Sequence, residues 1–438
     1  MECFKTWAKE SGITTFGTLI KETTTSGNGL FSSQAINKDT EVVQIPSQFV
    51  LSSKRVLEDN EEFSDLVYNY FMKRHSITLL EAKKMAADQD RTILCLFLIY
   101  YRFFNENTKW KPYMDILPTL EFFQKTHVLF NPGTVKGTCL ENSIRSKISS
   151  LERELEEINQ YWPTRIELDM YLWADCTVWS RVVGITETEI ALVPYFDLAN
   201  HSLNESNIKW ELTDDEGLML VTTKDIKSQD EELTLFYGSK SNQELLFLHG
   251  FCIQDNPETS RITIPLMPFL DLSDPVDISK IQWLKSVGAK PILTLMGSRT
   301  SNLDPLVADG WTVDSVAALY LIALTEDEGL CFSSMDLQIH GRSVKGLNEL
   351  YACAQGLDLL PLIQLRAVVL LTNALEYHLN MNIEHEVDQD GSGPLLAHTS
   401  IYRIEERTIL QRAQTQLGRL QDELLKNKVV LSYLQDQQ

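Results

Sequence analysis

The stretch whose reading decides the fold is VPYFDLANHSLN, residues 193 to 204. It changes character abruptly. An apolar run fit for a buried strand (Leu192, Val193, Tyr195, Phe196) ends at Asp197, and an amide and an imidazole, Asn200 and His201, follow side by side. A buried polar group without a partner costs about 1–3 kcal/mol, so each of the three needs one. Three uses of the stretch are open. Asp197 and Asn200 can cap a turn around a satisfied core histidine. Asp and His can form a pair that serves a nucleophile, although no G-x-S-x-G elbow or other nucleophile motif accompanies them. Asn200 can also grip the polar head group of a ligand. A metal centre needs further ligands at workable spacing, and the next histidine along the chain is His249.

Three other segments stand out on either side. In TSGNGLFSSQAI (25–36), Gly27 and Gly29 suggest a dinucleotide loop, but position 32 is Ser and the sequence then alternates like a strand. No helix N-terminus is offered to a pyrophosphate, which leaves a tight hairpin turn or a backbone that approaches a ligand closely. In WADCTVWSRVVGI (173–185), Arg181 lies among apolar residues and needs either an acidic side chain of this chain or an anionic ligand. In LFYGSKSNQELLFLHGF (235–251), Tyr237 precedes a glycine at a strand end, before a polar turn that opens a helix. Such a tyrosine is either half-buried packing or a hydroxyl presented at a site.

The 438 residues suit two or three domains with a sizeable core, at 43% hydrophobic and 23% charged content. Lys+Arg 39 against Asp+Glu 61 gives a net charge of −22, which disfavours binding to a phosphate backbone. It suits a basic protein partner, and solubility alone accounts for it equally well. The seven cysteines stand 22 or more residues apart with no CxxC pair, so neither a structural zinc site nor a secreted disulfide framework is expected. The charged N-terminus MECFKTWAKE is unlike a signal peptide, and the greasiest stretch, Ile93 to Tyr101, is too short to span a bilayer. The expected setting is the cytoplasm or nucleus.

Residues 14–50 read as short strands, and from about residue 51 the period becomes helical. DRTILCLFLIYYRFF reads as a buried helix, the two prolines of WKPYMDILPTLEFF break the next one, and Ile144, Ile148, Leu151, Leu155 and Ile158 mark an amphipathic helix. Strand-like sequence returns over 185–236. Beyond about 256 the pattern is nearly all helical, interrupted by the polar loop DQDGSGP (388–394). The stripe Leu410, Ala413, Leu417, Leu420, Leu424 fits a helix packed on its own domain, or a coiled-coil seam.

The glycine turn, W-x-x-x-x-x-x-S-R, D-x-x-N-H-S and Y-G-x-x-S-N-x-E-L-L-x-x-x-G-F occur here in the order found in SET-domain protein methyltransferases. The chain most resembles the Rubisco large-subunit lysine methyltransferase class, with its fungal ribosomal-protein and animal members. WKPYMDILPT (110–119) and YRIEERTILQRA (402–413) also look like that class, so the resemblance covers essentially the whole chain. It implies an α+β architecture: a split, β-rich SET fold with a pseudoknot and a helical insertion, followed by an all-α domain. The corresponding spans are 1–50 and 171–255 for the two SET parts, 51–170 for the insertion and 256–438 for an all-helical substrate-binding domain.

The resemblance further implies S-adenosylmethionine as methyl donor and a protein lysine as acceptor, on a non-histone target such as a ribosomal protein or translation factor. Asn200 and His201 are then cofactor ligands, Arg181 meets the cofactor carboxylate, and the backbone of Gly27, Asn28, Gly29 and Leu30 lines its other side. Phe251 packs near the adenine, Asp197 is structural, and Tyr237 matches the catalytic tyrosine, which also borders the cofactor. Candidates for the substrate channel are His249, where most relatives have tyrosine, with Trp210 and Val183. No metal, nucleic acid or membrane partner is implied, and a monomer is expected. Two alternatives accompany this reading: a histidine acceptor, as in the actin-directed branch of the class, and an inactive SET-derived binding protein.

Overall fold

The structure is a computed structural model that describes residues 1–23, 27–106, 108–203, 205–298, 300–333, 336–385 and 393–436. The first half-sheet forms where β-branched residues alternate with turn residues. Strands Thr18–Glu22 and Asn28–Ser32 pair as an antiparallel hairpin, and Glu232–Leu233 joins the free edge of the second strand from the far end of the SET region. A four-stranded sheet likewise mixes both halves: Thr14–Thr15 and Glu41–Ile45 from the first, Leu218–Thr222 and Ile208–Leu212 from the second. A third sheet sets Leu51–Ser52 against Ile190–Leu192 and Val183–Gly184. Each of these sheets is thus completed only when sequence on both sides of the helical insertion comes together.

The insertion is built on buried helices. Asp90–Ile99 buries Ile93 through Ile99 without a break and continues as one π-helical turn, Tyr100–Phe104. Leu140–Tyr161 buries Leu140, Ile144, Leu151, Leu155 and Ile158, the 3–4 spacing of an amphipathic face. Helix Leu168–Arg181 packs against both and ends where the third sheet begins. Between them Lys111–Met114 and Leu120–Thr126 are short, as the two prolines require. Trp110 anchors this segment: it is 1% exposed, meets Trp7, Phe49 and Phe97 edge-on, and donates its indole N–H to Asn60 Oδ1 at 2.9 Å.

Beyond residue 256 a second apolar core gathers around helices Val313–Ala323, Leu360–Glu384 and Pro394–Leu424. Leu410, Ala413, Leu417, Leu420 and Leu424 are all buried in it, so the stripe packs on its own domain. The region is helical in bulk, and the expectation that it is helical throughout is corrected in two places. Ile262–Pro265 pairs with Ile292–Leu295, and Leu330–Ser333, Asp336–Ile339 and Arg342–Val344 form a small antiparallel sheet. The last of its turns is closed by His340 and Gly341, both at positive φ (48° and 75°), the conformation a two-residue hairpin turn demands. Most of the loop at 388–394 lies outside the described residues.

Glu405 and Glu406, neighbours on the long C-terminal helix, clasp the two regions. Glu405 accepts from the Asn242 amide at 2.9 Å and from Ser260 N–H at 2.7 Å. Glu406 accepts from Cys139 N–H and the Tyr402 hydroxyl, both at 2.9 Å, and burial pushes its carboxyl above the usual range.

Candidate active site

The site grows out of the 193–204 stretch. Tyr195 adopts φ 77°, ψ −44°, a left-handed γ-turn-like geometry that a residue with a Cβ takes only under strain. The chain then makes one 3-10 turn, Phe196–Leu198, which aims Asp197 inward. Its side chain is fully buried, accepts from the Tyr113 hydroxyl at 2.9 Å, and lies 3.3 Å from Arg181 Nη1. The same Nη1 donates to the Asp197 backbone carbonyl at 2.9 Å. Arg181 therefore has an acidic partner within the chain. Burial raises the Asp197 carboxyl, an effect opposed by the Arg181 charge. The Asn200 amide donates to Glu232 Oε1 at 2.8 Å, and His201 Nδ1 accepts from Tyr237 N–H at 3.1 Å.

Residues 200–202 lie beside Leu235 in a parallel bridge, with Leu235 N–H on Asn200 O and Ser202 N–H on Leu235 O, both at 2.9 Å. This lacing sets Tyr237 over the stretch. Its ring stacks on His201 (5.0 Å between centroids), and its hydroxyl donates to Ala199 O at 2.6 Å. Burial pushes the phenol up to about 12, so it is neutral across the physiological range.

After Tyr237, a Ser241–Glu244 capping box starts helix Asn242–His249. Gly250 ends it at φ 79°, where an added Cβ would come within 3.1 Å of Thr126 O. The sharp turn brings His249 and Phe251 back beside the tyrosine. The His249 ring sits 5.6 Å from Tyr237 and 6.0 Å from Phe251, and Phe251 lies 6.4 Å from His398 of the C-terminal helix. Burial lowers the His249 imidazole to about 4, so the ring is neutral.

A cavity of about 370 Å³ opens here, and its wall includes Arg181, Val183, Trp210, Tyr237 and His249. All three substrate-channel candidates thus face one space with the tyrosine. The cofactor candidates divide. Arg181 and Tyr237 line the cavity, whereas Gly27, Asn28, Gly29, Leu30, Asn200, His201 and Phe251 do not. Three of them touch residues of its wall or one another: Gly29 passes Asn200, His201 stacks on Tyr237, and Phe251 meets the His249 ring. Strand Asn28–Ser32 passes so close to the Asn200–Glu232 pair that a Cβ on Gly29 would sit 2.9 Å from both Asn200 Nδ2 and Glu232 Oε1. A side chain there would have to displace the Asn200–Glu232 pair. Leu30 is fully buried in that strand, and Phe251 serves the ring stack toward the C-terminal helix.

Four buried polar atoms at the site have no hydrogen-bond partner: Trp179 Nε1, Arg181 Nε, Asp197 Oδ1 and His201 Nε2. Buried donors normally find acceptors, and donors left over beside a cavity suit a polar ligand. Sequence reasoning missed two participants, Tyr113 and Glu232. Tyr113 stood inside the noted WKPYMDILPT motif, and Glu232 opens the EELTLFYG strand, but nothing in their local patterns marks them as partners of Asp197 and Asn200. Among the described residues no cluster of His, Cys, Asp and Glu could hold a metal ion, and no helix is long and apolar enough to cross a membrane.

The lacing of 200–202 with 235–237 around a strand-end tyrosine is the architecture of a SET domain, and the SET domain family model matches residues 27–238. Over those residues the chain has the SET fold. SET domain-containing protein 8 of Schizosaccharomyces pombe is similar along nearly its whole length: 27% identical over 434 residues, 95% of this chain and 94% of the relative. Ribosomal lysine N-methyltransferase set10 of the same yeast is 26% identical over 41% of this chain and 35% of its own length. Actin-histidine N-methyltransferase of Drosophila melanogaster is 24% identical over 63% of this chain and 52% of its own. Among solved structures, Rubisco LSMT bound to AdoMet superposes with a TM-score of 0.69 at 19% identity, covering 97% of this chain and 92% of that one. The SET domain of LSMT bound to lysine and AdoHcy gives 0.71 at 18% identity, with the same coverage. The overall fold is therefore that of Rubisco LSMT, C-terminal helices included.

Proposed function

We propose that this protein is an S-adenosylmethionine-dependent protein methyltransferase whose acceptor is a lysine side chain. The observation that carries the reading is the neutral Tyr237 phenol, laced to the Asn200–His201 stretch and facing a cavity walled by Val183, Trp210 and His249. The cofactor fits the residues present. The leftover donors on Arg181 and His201 and the close passage of Gly29 by Asn200 make a polar cradle beside the cavity. Arg181 would hold the carboxylate of the methionine moiety, Asn200 its amino end, and the Gly27–Leu30 backbone the opposite side.

When bound, the cofactor supplies a methyl group on a sulfonium cation. A lysine amine that has lost its proton to solvent would be the group that accepts this methyl. Free lysine, with a pKa near 10.4, is almost fully protonated at pH 7. An apolar channel beside a cation lowers that value, so a strong general base is unnecessary. Tyr237 supplies alignment, and orientation contributes up to about 7–11 kcal/mol in well-ordered systems. The C-terminal helical region would select the target, which on charge grounds is a basic protein, and the seven unpaired thiols fit a reducing compartment, cytoplasm or nucleus.

A histidine acceptor is the second reading, favoured by the actin-histidine relatives and by an imidazole, His249, where the lysine-directed class has a phenol. Incubation with labelled cofactor in a lysate of knockout cells, with mass spectrometry of the labelled peptide, decides between them. Labelled lysine supports the proposal, labelled histidine replaces it, and no labelled protein at all points to a binding role.

A further inference from the structure

We infer that Tyr113, contributed by the helical insertion, is a positioning residue that aims Arg181 at the ligand through Asp197. The inference rests on the reading of Arg181 as the holder of the cofactor carboxylate. Arg181 is held at Nη1 by the side chain and carbonyl of Asp197, its buried Nε has no acceptor, and the residue lines the cavity. A guanidinium is a planar fork, so fixing one nitrogen fixes the direction of the others. The direction therefore depends on where the Asp197 carboxylate points.

Two features set that direction. The strained backbone at Tyr195 places Asp197, and the Tyr113 hydroxyl holds Oδ2 at 2.9 Å, while Oδ1 has no partner at all. Without the hydroxyl the buried carboxylate has only Arg181 to bond, and it can rotate to engage the guanidinium with both oxygens. That rotation would turn the guanidinium toward Asp197 and away from the cavity that Arg181 lines, since carboxylate–guanidinium pairs favour two parallel bonds. Tyr113 itself has little freedom. It is fully buried, and Trp110 one turn earlier is locked among three aromatic rings. The insertion thus reaches the ligand site by a chain of side chains that a split SET fold without it would lack.

The test is a double-mutant cycle of Tyr113→Phe and Arg181→Ala in the full chain, read by calorimetric titration with S-adenosylhomocysteine and, separately, with adenosine, which lacks the amino-acid end. The expected result is that Tyr113→Phe weakens S-adenosylhomocysteine about three- to tenfold, a partial loss of one charge-assisted hydrogen bond, and leaves adenosine within twofold. In the Arg181→Ala background the same change adds nothing. Equal weakening of both ligands, the same fold-loss in both backgrounds, or a lowered melting temperature with S-adenosylhomocysteine affinity intact would each overturn the relay. If Arg181→Ala alone leaves S-adenosylhomocysteine affinity intact, the reading of Arg181 fails first and the relay with it. Asp197→Asn, which keeps the shape and removes the charge, must reproduce the ligand-selective loss if Tyr113→Phe folds poorly.

Discussion

Replacing Tyr237 by phenylalanine removes one oxygen and two functions, and the structure separates their sizes. The hydroxyl donates its only proton to Ala199 O at 2.6 Å. What it can offer a substrate amine is therefore its acceptor lone pairs. A phenol pushed up to about 12 is not ionised near pH 8, so in the proposed reaction it would orient the amine and would not take its proton. Loss of the hydroxyl leaves the Ala199 carbonyl without that donor, a destabilisation of about 1–3 kcal/mol. The stacking on His201 at 5.0 Å and against His249 at 5.6 Å survives in the phenylalanine ring. Misalignment of the amine costs about a hundredfold in turnover, equivalent to about 3 kcal/mol of barrier. The groups assigned to the ends of the methionine moiety lie elsewhere, on Arg181 and Asn200. Affinity for S-adenosylhomocysteine should stay within about twofold. Single-turnover methyl transfer, urea unfolding and calorimetric titration on the same preparation measure all three quantities. Turnover within threefold of wild type, with folding and affinity intact, would remove Tyr237 from its assigned place.

Asn200→Ala should weaken S-adenosylhomocysteine by about ten- to a hundredfold, because it removes the amide from the polar cradle and leaves Glu232 without its donor; unaltered titration in a folded variant means the residue only caps a turn. His249→Tyr should shift products toward fewer methyl groups by filling space beside Tyr237, and an unchanged intact-mass distribution at normal turnover refutes that. Acid should destabilise the fold between pH 6.5 and about 4, since His127 and His249 are both held near 4 by burial and only the unfolded chain takes up their protons in that window. Each ring contributes up to about 3 kcal/mol, fully present above pH 6.5 and lost by pH 4, so His249→Phe should lose correspondingly less stability than wild type between pH 7 and 4; parallel urea midpoints in the two proteins would contradict the burial.

Periodic and contiguous features were legible in the sequence; contacts across the insertion were not. The helix carrying Ile144, Leu151 and Leu155 declares itself because 3.6-residue spacing puts those side chains on one buried face. The D-x-x-N-H-S and Y-G segments were equally readable, because their order along the chain is itself the resemblance. Asp197 and Tyr113 are 84 positions apart and Asn200 and Glu232 are 32 apart; no local pattern announces either pair. The sheet over 330–344 went unread for a different reason. Its strands are three or four residues long, and its turn is His-Gly instead of the Asn-Gly or Asp-Gly that signals a hairpin. Alternation of Leu337 and Ile339 with polar neighbours was the one available cue.

The charges around the cavity bear on the acceptor. Its wall carries two cations, Arg181 and Lys240, and one carboxylate, Asp197, which is already committed to Arg181 and Tyr113. Tyr237 and His249 are both neutral there. Among the cavity-lining residues no uncommitted carboxylate is left to pair with an ammonium ion, and a bound sulfonium would add a further positive charge. An amine entering this space is driven to its neutral form by its surroundings, which is the form that attacks a methyl group. The requirement has a kinetic signature that differs between acceptors. A lysine, starting near 10.4, gives turnover that keeps rising with pH toward about 9; a histidine, starting near 6.5, is already neutral by about pH 7.5 and gives a plateau. Neither His249 nor Tyr237 titrates between pH 5 and 10, so neither can produce a rise in that range. The pH profile of kcat/KM on the identified target peptide therefore reports the acceptor itself, and a plateau by pH 7.5 with slow chemistry rate-limiting would exclude lysine.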